Sequence, residues 1–402
     1  MKPPATKTII NALIANKSDV RFVGGCVRDA ILNRSINDID IATTDHPKQV
    51  LKLLNLANIN VISTDITHGT TRAIIDKMNF EITTLRSDVE TFGRNANVKF
   101  INDWNVDATR RDFTINAIFC CPDGIIFDPL GGLEDLHSGC VRFIGIAQKR
   151  IEEDILRILR YFRFYAYYAS SIDTEALDAC RTQAYKLSNL SGERLCNEMM
   201  KIFLSPNPVN VLLLMRDYDV LKYILPQARD FKRLSMLVSL ENNHFSKNPL
   251  RRLASILSND LDEIITVAKR FNLSRNMTNH LIAMTTELPN ISTDNRTIRR
   301  IFHKVGTQCF IDIILLSISS RNEDHISSRW LELLNITNNR LAEQLPIHGQ
   351  DLIDLGVPSG PKIGTLLTKL EYWWEDNDCA FDRNELLIKL KELLILDTVS
   401  KS

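Results

Sequence analysis

Two aspartates, Asp38 and Asp40, follow a glycine pair, Gly24-Gly25, within the segment RFVGGCVRDAILNRSINDIDIATT. Side chains two residues apart in a β-strand project from the same face. Both carboxylates would therefore point the same way, as a pair of oxygen ligands for Mg²⁺ should. The glycines would let backbone N–H groups approach a phosphate at the start of the helix that follows, where the helix dipole favours an anion. The segment predicts metal-assisted chemistry on a phosphate compound.

A third carboxylate, Glu81 in FEITTLR, would join this pair if its strand lies beside the strand of Asp38 and Asp40. Three neighbouring carboxylates repel one another unless a cation lies between them. A single D-x-D pattern is equally typical of solvated strand residues, but the glycine turn before it and the glutamate after it favour a site. The chemistry indicated is two-metal nucleotidyl transfer, in which one ion activates a hydroxyl and the other stabilises the leaving diphosphate.

The composition is that of a globular protein with more than one domain, with 402 residues, 44% of them hydrophobic and 24% charged. Lys and Arg number 49, as do Asp and Glu, so a nucleic-acid partner must be bound by clustered rather than abundant basic residues. The 8 cysteines form no C-x-x-C pair, which indicates reduced thiols. Without a long apolar run, we expect a soluble, cytoplasmic protein with no membrane span and no cleaved leader.

The pattern of elements changes near residue 140. Before it, short β-rich runs alternate with single helices, which predicts an α+β domain with a mixed sheet. After it, apolar residues recur every three or four positions, as in Ile151, Ile155, Ile158, Phe162 and Tyr165, which predicts one continuous helix face and a mostly helical remainder. The predicted strands are 20–23, 39–42, 71–76 and 80–85, the last two forming a hairpin around 76–79, and the predicted helices include 26–33 and 47–57.

Further motifs follow in a fixed order. They are THGT (67–70), TRRDFTINAIF (109–119), DPLGGLEDL (128–136), EEDILRILRYFRF (152–164) and SGERLCNEMMKIF (191–203), with HGQDLIDLGVPSGPKIGTLL (348–367) as a weaker match near the end. With the carboxylate segment, this series resembles the class II tRNA nucleotidyltransferases, the bacterial-type CCA-adding enzymes that share ancestry with bacterial poly(A) polymerases. The specific motifs cover about the first half of the chain.

The resemblance implies a fold and a division of the chain. It implies an N-terminal nucleotidyltransferase head of the polymerase beta-like type over residues 1–140. A helical neck with a nucleotide-selecting helix would span 141–205, and a helical body and tail that bind tRNA would span 206–402. The expected partners are CTP, ATP and the acceptor stem and 3′ end of tRNA, and the expected cofactor is Mg²⁺. The sequence leaves the oligomeric state open.

The resemblance also implies roles for individual residues. Asp38 and Asp40 would be the Mg²⁺ ligands, with Glu81 as the third active-site carboxylate. The residues that would hold the nucleotide are Gly25, Arg28 and Arg111 at the triphosphate, Asp154 and Arg157 as the base-reading pair, and Arg160 and Arg163 further along the same helix.

The chemistry of Asp154 and Arg157 agrees with that role. Three residues apart on a predicted helix, they would be neighbours on one side. Asp accepts hydrogen bonds and Arg only donates them. Cytosine and adenine each present an amino group beside a ring acceptor, which this pair would satisfy. Uracil and guanine present a carbonyl and a ring N–H there instead, which would leave polar groups mismatched at about 1–3 kcal/mol each. By itself the segment also fits an ordinary amphipathic helix.

Three predictions concern the surroundings of this site. Asp112 or Thr114 would either act at the site or cap the helix that follows. Residues 87–107 are polar without a helical period and match the family's mobile loop, although Phe92 stands where relatives commonly have Asp before Gly93-Arg94. Candidate members of a basic track for tRNA are Lys149, Arg150, Arg194, Lys201, Arg251, Arg252, Lys269, Arg270, Arg299, Arg300 and Lys304.

The leading hypothesis is template-independent addition of CCA to the 3′ end of tRNA with release of diphosphate. A second enzyme hypothesis is a poly(A) polymerase or a C-only or A-only tRNA nucleotidyltransferase, because these share the carboxylates and much of the head. A hypothesis of another class is a noncatalytic RNA-binding protein built on a transferase fold. The retained Asp38, Asp40, Glu81 and Arg111 argue against that third hypothesis.

Overall fold

The computed structural model describes residues 3–36, 38–92, 95–289, 295–321, 328, 330–331, 333–334, 345–377 and 380–399. The chain divides into two compact units, Met1–Pro226 and Gln227–Ser402. The described β-strands and the predicted site residues all lie in the first unit. None of the described helices combines the length and the hydropathy that a membrane-spanning segment requires.

A seven-stranded mixed sheet forms the first half of unit 1. Its strands are β1 Val20–Val23, β2 Asp38–Thr43, β3 Asn60–Asp65, β4 Thr70–Ile75, β5 Met78–Thr84, β8 Phe119–Cys120 and β9 Ile126–Phe127, in the order β3-β4-β5-β2-β1-β8-β9. The pair β2–β5 is parallel and the other pairs in this sheet are antiparallel. Parallel strands cannot be joined by a tight turn and need a longer crossover connection. Here β3 and β4 lie between β2 and β5 in sequence, yet β2 and β5 are neighbours in the sheet.

The helices of unit 1 surround this sheet and then form its second half. They are α1 Pro4–Ile14, α2 Gly25–Ile31, α3 Pro47–Leu56, α4 Trp104–Thr109, α5 Gly132–Ser138, α6 Ala147–Glu153, α7 Leu156–Tyr168, α8 Thr174–Gln183, α9 Gly192–Phe203 and α10 Pro208–Asp217. Proline occupies the first turn of α1, α3 and α10, where its fixed φ suits a helix and no N–H is needed.

Unit 2 is helical in its described part. Its helices are α11 Phe231–His244, α12 Pro249–Ser255, α13 Leu261–Arg270, α14 Arg275–Thr286, α15 Asn295–Val305, α16 Thr307–Ser319, α17 Gly349–Asp354, α18 Pro361–Asp376 and α19 Arg383–Val399. Leu366, Leu370 and Trp374 of α18 are buried in one cluster with Leu386 and Leu390 of α19. One apolar face thus packs the two terminal helices together.

Two arginines predicted for the basic track belong instead to the core of unit 2. Arg251 and Arg252 are almost fully buried. Arg251 donates from Nη1 to Asp312 at 2.6 Å, and Arg252 donates from Nε to Glu241 at 2.5 Å. The prediction that these two face RNA is wrong, because each is held inside the helical core by a buried carboxylate. Removing one partner of such a pair typically costs about 3–5 kcal/mol.

The predicted fold class is confirmed. The predicted strands and the helices near 26–33 and 47–57 are present with ends shifted by a few residues. The hairpin β4–β5 is antiparallel, but its turn is shorter than predicted because Met78 and Asn79 already belong to β5. Asp76 and Lys77 both have positive φ, as a two-residue turn of the hairpin type requires. The proposed boundaries at residues 140 and 205 remain predictions.

The stretch predicted as a loop contains regular structure. Arg86–Phe92 and Asn95–Phe100 form a separate antiparallel hairpin, β6–β7, and α4 follows it. The loop prediction rested on polar residues and the lack of a helical period. It overlooked the strand-like alternation of Ala96, Val98 and Phe100 with polar residues in β7. Phe92 ends β6, while Gly93 and Arg94 lie outside the described residues.

The predicted continuous helix through residues 151–165 is also interrupted. Helix α6 ends at Glu153, Asp154 is extended with φ −152° and ψ 109°, and α7 begins at Leu156. Ile151 and Ile158 are nevertheless both fully buried. The apolar periodicity therefore continues across the break, which is why it suggested one helix.

Gly132 at the start of α5 provides a test of how the DPLGGLEDL segment packs. A methyl group there would lie 2.3 Å from the backbone oxygen of Thr114 and 2.9 Å from Ile118 Cγ1. We expect Gly132→Ala to lower the free energy of unfolding by about 1–3 kcal/mol, as overpacking does, when measured by urea denaturation. In Gly364→Ala the new methyl would meet nothing within 4 Å, so this helix-interior control should be neutral or stabilising by up to about 1 kcal/mol. Equal unfolding curves for wild type and Gly132→Ala would contradict the described packing.

Candidate active site

Three carboxylates meet on the adjacent strands β2 and β5. Asp40 lies opposite Glu81 in the parallel register, and Asp38 precedes it by two residues. Asp38 accepts a hydrogen bond from Asn79 Nδ2 at 3.2 Å, and Glu81 accepts one from Arg72 Nε at 2.9 Å. The condition for Glu81 to join the pair, that its strand be a neighbour, is met.

The pKa of the Asp40 carboxyl is raised by its surroundings. Burial raises the pKa of its carboxyl, the charge of Glu81 raises it further, Arg111 opposes this effect, and Asp38 adds to it, so that the pKa rises to about 6. Like charges that are held this close favour a bound proton or a bound cation. The folded chain therefore maintains a site whose repulsion a metal ion would relieve.

The donor set fits Mg²⁺ with a substrate present. In the ranges that the structure describes, no group of three or more His, Cys, Asp and Glu side chains is arranged to enclose a metal. The ion pair of Glu81 with Arg72 is consistent with this finding. Asp38 and Asp40 would supply two carboxylates, and Mg²⁺ is commonly bound by one or two carboxylates together with substrate phosphates and water.

The glycine turn lies directly beside the carboxylates. Gly24 caps α2 with φ +70°, and a methyl group on it would lie 3.7 Å from Asp40 Oδ2 and 3.8 Å from Arg111 Nη1. A methyl group on Gly25 would lie 3.6 Å from Arg28 Nη2. The turn, one carboxylate and two arginines predicted for the triphosphate thus share one small volume.

Arg111 and Arg28 are each held by hydrogen bonds to an aspartate. Arg111 donates from Nε and Nη2 to Oδ2 of Asp107 at 3.2 and 2.9 Å. Burial raises the pKa of Asp107, but the charges of Arg111 and Arg110 outweigh this and lower it. Arg28 donates to Asp29 at 3.1 Å. Arg111, held at its Nε and Nη2 edge, keeps its Nη1 donors oriented for phosphate. Arg28 also uses Nη2 on Asp29 and Nη1 on Asn116, so one N–H on each of these two nitrogens remains for a ligand.

A buried chain of polar groups joins α7 to α2. Arg160 Nε donates to Asp112 Oδ2 at 2.7 Å, Asn116 Nδ2 donates to Asp112 Oδ1 at 3.1 Å, and Arg28 donates to the Asn116 side-chain oxygen. Asp112 thus caps no helix, and although it lines the cleft, both of its carboxylate oxygens already accept hydrogen bonds from the protein. Thr114 donates to Asp135 at 2.6 Å and begins only a single 3₁₀ turn, so the capping alternative is wrong for both residues.

The glycine turn, Asp40, Arg28 and Arg111 line a cleft of about 620 Å³ within unit 1. The lining contains seven arginines and three aspartates, so its formal charge is positive. It includes eight predicted site residues, whereas Asp38 and Glu81 are not part of the lining. The lining residues are Gly24, Gly25, Arg28, Asp40, Arg110, Arg111, Asp112, Asn116, Asp154, Leu156, Arg157, Arg160, Arg163, Phe164 and Arg194.

The predicted base-reading pair lies in this cleft, but not on one helix. Asp154 occupies the break between α6 and α7, where its Oδ1 accepts from the Leu156 backbone N at 3.1 Å. Arg157 lies in the first turn of α7 and donates from Nη1 to Glu153 at 2.5 Å. The two remain neighbours because Arg157 N donates to the Asp154 backbone oxygen at 3.0 Å. The prediction that both lie on one helix is therefore wrong.

Two further members of the predicted basic track have other positions. Arg150 donates from Nη2 to the backbone oxygens of Arg110 and Arg111, both at 2.6 Å, and so supports the cleft from behind. Arg194 lines the cleft and donates to Asp154 Oδ2 at 2.6 Å. Among the other candidates, Lys304 is paired with Glu287, and the side chain of Arg299 lies outside the described part.

The sequence analysis did not predict two residues that hold the arginines of the cleft. Asp107 receives Arg110 and Arg111, and Asn116 joins Asp112 to Arg28. Asp107 lies three and four residues before its arginines, a spacing that places partners on one helical side and that could have identified it. The link between Asn116 and Arg28 spans two distant segments, and the sequence carries no local signal for it.

Two family profiles match parts of the chain. The profile of the poly(A) polymerase head domain matches residues 20–142, which contain the sheet, the glycine turn and the carboxylates. A profile described as the probable RNA- and SrmB-binding site of polymerase A matches residues 171–232, which contain α8, α9 and α10.

Several proteins are similar to the chain over most of its length. It is 34% identical over 400 residues to the Homo sapiens mitochondrial CCA tRNA nucleotidyltransferase 1, covering 96% of this chain and 89% of that protein. It is 32% identical over 373 residues to the CCA-adding enzyme of Leuconostoc mesenteroides, covering 91% and 90%. The Bacillus stearothermophilus CCA-adding enzyme, crystallised with CTP, matches in fold with a TM-score of 0.78 at 24% identity and full coverage of both chains. The Thermotoga maritima CCA-adding enzyme, complexed with tRNA, matches with a TM-score of 0.60 at 22% identity, covering 98% and 96%.

The raised pKa of Asp40 leads to a prediction about stability. The folded state binds the proton more tightly than the unfolded chain, so an ionised Asp40 destabilises the metal-free protein above pH about 6. We expect Asp40→Asn to raise the free energy of unfolding at pH 7.5 by up to about 3 kcal/mol, because each pKa unit corresponds to about 1.36 kcal/mol. The gain should shrink as the pH falls from about 6 towards about 4, where Asp40 takes up its proton.

Urea denaturation in EDTA at several pH values measures this effect. The exposed Asp38→Asn is the matched control and should change stability much less. A variant Asp40→Asn that is less stable than wild type at pH 7.5 would contradict the described electrostatics.

Proposed function

The chain belongs to the CCA tRNA nucleotidyltransferase family, and from this premise we propose that it adds C, C and A to the 3′ end of tRNA from CTP and ATP. The observation that carries this proposal is the single cleft that joins Asp40 and the glycine turn to Asp154 and Arg157. Because one cleft would hold a metal-binding carboxylate and a donor–acceptor pair for a base, the protein itself could select the nucleotide without a nucleic-acid template.

In the proposed reaction, the RNA 3′-oxygen attacks the α-phosphorus of the nucleotide, and the bond from that phosphorus to the diphosphate oxygen breaks. Asp38 and Asp40 would hold Mg²⁺, which when bound supplies charge that favours the ionised hydroxyl and stabilises the leaving diphosphate. The anchored Arg28 and Arg111 would orient the triphosphate beside Gly24 and Gly25. Holding the reacting groups in line accounts for much of the rate gain in such transfers.

The positive cleft suits a triphosphate. Its arginines are each oriented by a protein partner, so little side-chain freedom is lost when phosphate oxygens replace water. We propose that Arg160 and Arg163 extend this surface along α7. Arg160 is tied to Asp112 and Arg163 to Glu198.

Base selection would use Asp154 and Arg157 as an acceptor and a donor. Both described contacts of Arg157 use Nη1, which leaves the N–H groups on Nε and Nη2 to donate to cytosine N3 or adenine N1. Asp154 would accept from the amino group of either base. We propose Glu81 as a third active-site carboxylate that adjusts the charge at Asp40.

For the rest of the chain, we propose a head over 1–140, a neck over 141–205 and a tRNA-binding body and tail over 206–402. The match of 171–232 to an RNA-binding profile supports RNA contact that begins in the neck.

We also propose a cytoplasmic location. The seven cysteines in the described ranges are free thiols, as reducing compartments favour. Fluorescent tagging with organelle markers tests this, since the named human relative is mitochondrial.

Asp40→Ala tests the catalytic proposal. We expect nucleotide addition to fall by at least about a thousandfold, because the loss of metal-held charge is worth several kcal/mol and each 1.36 kcal/mol is a factor of ten. Asp178→Ala removes an exposed carboxylate of α8 and should retain full activity. Near-normal turnover by Asp40→Ala would overturn the assignment.

The substrates distinguish the candidate functions. Purified protein with Mg²⁺ is incubated with tRNA transcripts ending at the discriminator base, at C and at CC, with CTP and ATP separately and together, and the products are sequenced. Addition of CCA followed by arrest is the expected result. Long A tails would identify a poly(A) polymerase, and extension by C or A alone a split-function enzyme. No extension of any RNA would favour a noncatalytic RNA-binding protein.

Asp154→Asn tests base selection. The amide can donate where the carboxylate only accepts, so it can pair with the carbonyl of uracil. We expect the ratio of kcat/KM for CTP to that for UTP to fall by about 10- to 100-fold, in line with a mismatch of about 1–3 kcal/mol. Steady-state addition to a tRNA that ends at the discriminator base measures this ratio. An unchanged ratio would remove Asp154 from the base-reading role.

A further inference from the structure

Helix α9 places two charged side chains against the nucleotide cleft. Arg194 and Glu198 are four residues apart and therefore lie on one side of the helix. Arg194 Nη2 donates to Asp154 Oδ2 at 2.6 Å, and Glu198 Oε2 accepts from Arg163 Nε at 2.6 Å. The same helix face thus holds one group from the proposed base-reading pair and one from the proposed triphosphate surface.

Both ion pairs are largely shielded from water. The side chains of Arg194 and Asp154 are 22% and 18% exposed, and those of Glu198 and Arg163 are 7% and 17% exposed. By contrast, Arg181 and Asp219 in the same half of unit 1 form a pair that is 57% and 40% exposed. Shielded pairs with short contacts keep their geometry, whereas exposed pairs contribute little.

The orientation of the Asp154 side chain depends on its own hydrogen bonds, including the one from Arg194. Asp154 lies in the break between α6 and α7, so its backbone is not held within a continuous helix. Its Oδ1 accepts from Leu156 N at 3.1 Å, and its Oδ2 accepts from Arg194. Because each carboxylate oxygen accepts one hydrogen bond, the carboxylate is held in one orientation. Each oxygen can still accept a further hydrogen bond. A fixed acceptor is what recognition of an amino group requires.

We propose that Arg194 is a positioning residue that sets the base selectivity of Asp154, and that Glu198 orients Arg163 for the triphosphate. This inference rests on the proposed nucleotide-adding function. It assigns separate consequences to two residues of one helix. Losing Arg194 would relax the choice between bases, whereas losing Glu198 would weaken the binding of any nucleoside triphosphate.

The test compares four variants in addition of one nucleotide to a tRNA that ends at the discriminator base, with kcat and KM measured for CTP and for UTP. Arg194→Gln should lower the CTP/UTP ratio of kcat/KM by about tenfold or more, as expected for the loss of a hydrogen bond to a charged group. Arg194→Lys keeps a charged donor and should restore part of the ratio. Glu198→Gln should raise KM for both nucleotides by about threefold to tenfold and leave the ratio unchanged.

Lys52→Gln is the control, because it removes an exposed charge of α3, away from the cleft and outside the segment that matches the RNA-binding profile, and it should change neither quantity. An unchanged CTP/UTP ratio in Arg194→Gln would overturn the inference, as would an equal loss of kcat/KM for both nucleotides, which marks a structural role. If Arg194→Gln does not fold, Arg194→Lys must still show an intermediate ratio. If the wild type extends no RNA, the proposed function fails, and calorimetric Kd values for CTP and UTP in wild type and Arg194→Lys decide the inference separately.

Discussion

Repulsion among like charges is the constraint on which the first unit depends. The parallel pair β2–β5 brings Asp38, Asp40 and Glu81 together, and the cleft beside them gathers seven arginines. The backbone pairing of the two strands holds the carboxylates, and side-chain partners hold the arginines. Arg111 is held by Asp107, Arg28 by Asn116 and Asp29, and Arg160 by Asp112. Folding fixes these groups in advance, so that a nucleotide and a cation can replace repulsion by attraction.

The break between α6 and α7 is the second consequence of this arrangement. A continuous helix would direct Asp154 by its helical position, whereas the extended residue is directed by its own hydrogen bonds. Helix α9 supplies one of them and also holds Arg163 through Glu198. Under the proposed roles of Asp154 and Arg163, base selection and triphosphate binding would both depend on α9, which packs against α7 and lies within the segment that matches an RNA-binding profile.

Features with a local signal could be predicted from the sequence. Alternation placed Asp38 and Asp40 on one strand, and the turn at residues 76–79 predicted the hairpin whose second strand carries Glu81. The parallel pairing of that strand with β2 is a long-range contact that the sequence left as a condition. The break at Asp154 left no signal, because Ile151 and Ile158 keep the apolar period across it. The alternation of Ala96, Val98 and Phe100 in β7 was a local strand signal that the loop prediction overlooked, because the stretch is polar overall and has no helical period. Arg251 and Arg252 read as surface cations, since their partners Glu241 and Asp312 are distant in sequence.

A crystal structure of this protein with CTP and Mg²⁺ tests the central claim most directly. The account predicts the triphosphate on Arg28 and Arg111 beside the glycine turn, with the metal on Asp38 and Asp40. The cytosine amino group should donate to Asp154, and ring N3 should accept from Arg157, while Arg194 keeps its contact with Asp154. A base bound away from Asp154 and Arg157, or a metal that does not contact Asp40, would contradict the account.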